Sequence, residues 1–85
     1  MIQTNRLTII PYDNAVYTDN HVISDLDLSN CGIPEGVHAL QWLDNKGHIE
    51  YEDEFKRNDH ITELPQWALD CLAVYEQVFN QENIT

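Results

Sequence analysis

A chain of 85 residues is long enough for one domain around one modest hydrophobic core and too short for a second, so residues 1–85 are read as a single unit. Fifteen acidic side chains against four basic ones give a formal charge of −11, which repels nucleic acid and anionic membrane and argues against direct binding to either. At 42% hydrophobic content the chain is not a disordered acidic tail.

The opening MIQTNRLTIIP holds a short apolar run that stops at Pro11. It resembles neither a secretory signal nor a membrane span, so an unsecreted protein is expected. RLTII, AVYT and HVI read as short strands separated by the turn pairs Asp13-Asn14 and Asp19-Asn20, which makes a three-stranded meander. Gly32, Pro34 and Gly36 then break the sheet.

VHALQWLDNKGHIEYE is the clearest hairpin. With the turn centred on Asn45-Lys46, Leu43 faces His48, Trp42 faces Ile49, Gln41 faces Glu50 and Leu40 faces Tyr51. That register sorts Leu40, Trp42, Ile49 and Tyr51 onto an apolar side and Gln41, Leu43, His48, Glu50 and Glu52 onto the other. EDEFKRNDH reads as a solvated loop, so strands are expected within 6–52. A helix is expected over about 65–81, starting at Pro65. Ala68, Leu72, Tyr75 and Phe79 form its stripe, widened by Trp67, Cys71, Val74 and Val78. The fold class is therefore α+β, an antiparallel meander and hairpin covered on one face by a C-terminal helix. Its expected core is Leu7, Ile9, Leu40, Trp42, Ile49, Tyr51, Trp67, Cys71, Leu72, Tyr75 and Phe79, with Trp42 and Trp67 packed against each other.

No catalytic constellation stands out, and the chain reads as a non-enzyme with no metal and no cofactor. The four histidines have no HxxxH or HExxH spacing, there is no CxxC, and Lys46-Gly47 follows no phosphate-loop pattern. Cys71 lies on the apolar side of the helix, where burial makes a thiol inert; Cys31, in a Gly/Pro loop, is expected to be the more exposed of two reduced thiols. Glu50, Glu52, Asp53 and Glu54 form the densest acidic cluster without the alternating layout of a calcium loop. They are the leading candidates for contact with a protein partner.

The run Val37-His38-Ala39-Leu40-Gln41-Trp42, then Gly47-His48-Ile49-Glu50-Tyr51, then Ile61, Leu64-Pro65 and Trp67-Ala68, resembles a pattern found in small proteins of tailed bacteriophages and prophages encoded near tail-fibre genes. Ala15-Val16-Tyr17 and Asp25-Leu26-Asp27-Leu28 extend the resemblance, which spans most of the chain from about Leu7 to Tyr75. It implies a phage gene product of the virion tail or host cytoplasm, partnered with a phage tail protein, and it supplies no catalytic residues. The charge is more acidic than that pattern implies. This suggests an alternative, an anti-CRISPR or anti-restriction inhibitor that imitates DNA against a basic host nuclease complex.

Overall fold

The alternation of apolar side chains in RLTII and VHALQWL needs a partner on one side only, and the chain supplies it with its last element. A computed structural model describes residues 4–82. Six strands, β1 (Arg6–Ile10), β2 (Ala15–Thr18), β3 (Val22–Ile23), β4 (Val37–Leu43), β5 (Lys46–Tyr51) and β6 (Asp59–Ile61), precede one helix, α1 (Gln66–Glu82). All pair antiparallel in the order β3-β2-β1-β4-β5-β6, so two meanders share the β1–β4 seam. The α+β class, with the meander, the hairpin and the helix on one face, is as expected.

Leu7, Ile9, Val16, Leu40 and Ile49 point to the covered face and bury against Ala68, Cys71, Leu72 and Tyr75 of α1. The Tyr75 hydroxyl shares a buried hydrogen bond with Thr18 Oγ1 (2.9 Å) and donates to the His21 carbonyl (3.2 Å), tying the helix to β2. Among the described residues, no buried side-chain nitrogen or oxygen lacks a partner.

Four features differ from the sequence reading. The first is hairpin register: Leu43 pairs with Lys46, Trp42 with Gly47, Gln41 with His48 and Leu40 with Ile49. Asp44 and Asn45 both take positive φ (52° and 71°), the conformation of a tight two-residue hairpin turn that Asp and Asn tolerate. The tighter turn adds cross-strand pairs, and a shift of two residues leaves every side chain on its expected face because the pleat repeats every two. A bulge at His38 then resets the phase, so that Val37 opposite Tyr51 joins the core.

The second difference is β6, which extends the sheet beyond the expected 6–52 range and makes part of the predicted loop a strand. Three residues carry too little periodicity to announce a strand; pairing with β5 decides it. The third is the helix start. The Pro65 carbonyl accepts from Ala68 and Leu69, which places Pro65 just before the helix and not at its first position.

The fourth concerns the core. Trp42, Tyr51, Trp67 and Phe79 are only partly buried against it, and Tyr75 and Phe79 form a stacked ring pair at 5.7 Å. Leu26, Leu28 and Cys31, in the segment between β3 and β4, are buried instead. Leu26 N–H donates to the Asn14 carbonyl (3.0 Å), pinning that segment beside the 3-10 turn Pro11–Asp13.

Candidate binding surface

The topology determines which loops meet. The C-terminal ends of β1, β3 and β5 and the N-terminal ends of β2 and β4 lie at one end of the sheet, so the 3-10 turn, residues 24–36 and residues 52–58 gather there. They bring seven acids, Asp13, Asp25, Asp27, Glu35, Glu52, Asp53 and Glu54, against two bases, Lys56 and Arg57. An open hollow of about 540 Å³ lies between these segments, lined by Tyr12, Asp27, Ile33, Pro34 and Glu52 among others.

Of the four predicted site residues, three stay together and one turns away. Glu52 leaves β5 with its N–H donating to the Gly36 carbonyl (2.9 Å) and lines the hollow. Asp53 Oδ1 accepts from Phe55 N–H (2.9 Å) and its carbonyl accepts from Lys56 N–H (3.0 Å), a turn that holds the loop tip. Glu54 is exposed beside it. Glu50, still within β5, lies on the uncovered sheet face, where its carboxylate meets His48 Nε2 at 2.8 Å. It belongs to a different surface from the other three.

The turn at Asp53 pushes Phe55 outward, 89% exposed, while the 3-10 turn presents Tyr12, 87% exposed. These two aromatics were not singled out in the sequence. Phe55 inside EDEFKRND carried a signal, since a large apolar side chain in a polar loop has no local reason to be there. The loop base is stapled by Tyr51, whose hydroxyl donates to the Asp59 carboxylate, and by the Lys56 ammonium, 3.9 Å from the centre of the Tyr51 ring. The bond to Asp59, helped by slight burial and the nearby negative charge, raises the Tyr51 pKa above its ordinary value. Hydrogen bonds from Ser29, side chain then backbone, hold the Asp27 carboxyl below its own.

Cys31 is not exposed; at 4% it is as buried as Leu26 and Leu28, and it belongs to the same core cluster as Cys71 of α1. Burial first, then the proximity of Cys31, pushes the Cys71 thiol well up from its usual range. Both thiols are therefore expected to resist a thiol-specific reagent in the native protein and to react fully once it is unfolded in denaturant. Fast native labelling of Cys31 would show that the 24–36 segment does not pack as described.

Among the described residues, no group of three or more His, Cys, Asp or Glu side chains is placed to hold a metal ion, and no helix is long and apolar enough to cross a membrane. No family model, curated protein or solved structure matches this chain.

Proposed function

We propose that this protein is a non-catalytic bacteriophage protein that binds a basic surface of a protein partner through the acidic end of its sheet, as a tail or tail-fibre-associated structural or assembly factor. The observation that carries the reading is the placement of Tyr12 and Phe55 among the acids of that end. Exposed aromatics rimmed by charge are the composition of a protein interface, with the rings as anchors and the carboxylates as steering groups. The phage setting rests on the resemblance of VHALQW, GHIEY and LPQWA to proteins encoded near tail-fibre genes. The host cytoplasm or the virion tail is where it acts, without a cofactor.

The second reading, an inhibitor of a host nuclease complex that imitates DNA, draws on the same seven acids. It gives the aromatic rings no role, because a phosphate backbone presents nothing like them. The experiment is capture of the partner from infected cells, identification by mass spectrometry, and titration at two salt concentrations. Phe55→Ala should weaken binding about tenfold or more, as for an interface anchor. Replacing Glu52, Asp53 and Glu54 with Gln or Asn should mainly slow association, less so above ~0.15 M salt. A nuclease partner whose affinity collapses with the acid replacements and ignores Phe55→Ala would establish the DNA-imitating reading instead.

A further inference from the structure

Among the described residues, no element packs over the part of the sheet face opposite α1 that carries Arg6, Leu43 and Lys46, and its composition is distinctive. Arg6, Leu43 and Lys46 are aligned across β1, β4 and β5. The next row runs Thr8, Gln41, His48 and His60 across β1, β4, β5 and β6. These rows line an open groove of about 610 Å³. Two of the four Lys/Arg residues and two of the four histidines lie along it, with Asp44 the one acid in its lining. Leu43 is 52% exposed between the two cations. Gln41 Oε1 accepts from Thr8 Oγ1 (2.9 Å), which leaves the amide nitrogen of Gln41 to donate elsewhere. The groove thus combines donors and cations with apolar surface from Trp42, Leu43 and Ile61, in a protein of net charge −11.

We infer that this groove docks an acidic amphipathic helix of a partner protein, with carboxylates on Arg6 and Lys46 and an apolar side chain against Leu43. Charge complementarity selects the occupant. The two cations flank β4 and stand two strand spacings apart, about 10 Å. One α-helix presents side chains at i and i+7 about 10 Å apart, with i+3 and i+4 between them on the same face. A helix on this face also completes the layering that a sheet covered on one side leaves open. An acidic helix, a nucleic acid and a second copy of this chain all meet the same long-range repulsion from the net charge of −11; the helix is preferred because its i, i+7 spacing matches Arg6 and Lys46 on either side of Leu43.

The test is a titration of isotope-labelled protein with a synthetic helical peptide bearing Glu at i and i+7 and Leu at i+3 and i+4, followed by amide chemical shifts. Perturbation of Gln41, Leu43, His48 and His60 is expected. It should weaken about tenfold or more for the exposed double variant Arg6→Gln/Lys46→Gln, and likewise for a peptide with Gln in place of Glu. Absence of perturbation, or indifference to the charge changes, overturns the inference. So does an equal response to a single-stranded oligonucleotide, or a concentration-dependent shift of the same residues in protein alone, which would assign the groove to nucleic acid or to a second copy. The acidic end plays no part in this titration, so its outcome is independent of the function proposed above.

Discussion

Replacing Gly47 with alanine is expected to lower stability by on the order of 3 kcal/mol, a fall in Tm of about 15 °C or more for a domain of this size. Gly47 sits opposite Trp42 in the hairpin. A Cβ built there lies 2.2 Å from the Gln41 carbonyl oxygen and 2.9 Å from the Trp42 Cα. Both contacts are with backbone in the centre of the sheet, so no side chain can swing aside to relieve them. β4 and β5 must separate, and because β4 also pairs with β1 the disturbance reaches both meanders. Thermal melting followed by circular dichroism is the measurement. A variant melting within a few degrees of wild type would mean that the strands do not approach in this register.

Leu40→Ala and Leu72→Ala should each cost about 2–5 kcal/mol. Leu40 is fully buried at the centre of β4, and Leu72 is nearly so on the face of α1 turned to the sheet. Truncating either removes packed apolar volume where rigid neighbours on both layers limit collapse into the gap. Against a total stability of about 5–15 kcal/mol for a natural domain, each loss takes a large share. Urea denaturation gives the value directly, and a midpoint unchanged in both variants would refute the packing of α1 on this sheet.

The two-residue error in hairpin register shows which information is local. The alternation in VHALQWL and GHIEY assigns Leu40, Ile49 and Tyr51 to one face under either pairing, because both registers differ by a whole pleat. Turn length was less legible. Asp44 and Asn45 can each be left-handed or not, and the choice goes to the turn that gains more ladder pairs. The same limit applies to Cys31 and Leu26, whose burial depends on where residues 24–36 fold back against α1 and the 3-10 turn. The alternation of Asp25-Leu26-Asp27-Leu28 marks which side chains turn inward, not what they meet.

The candidate surface divides in the same way. Sequence by itself determined the acidity, the α+β class, the amphipathic helix and the cluster at Glu52, Asp53 and Glu54, because each is a property of neighbours along the chain. Tertiary structure alone decided that Glu52 leaves the strand to line the hollow while Glu50 stays on the sheet face, which separates the two. It also decided that Asp13, Asp27 and Glu35 join the cluster and that Arg6 and Lys46 flank Leu43. The physical reason is strand order. Placing β1 between β2 and β4 makes neighbours of residues 31 to 37 positions apart, and that order follows from the burial of all the apolar faces at once.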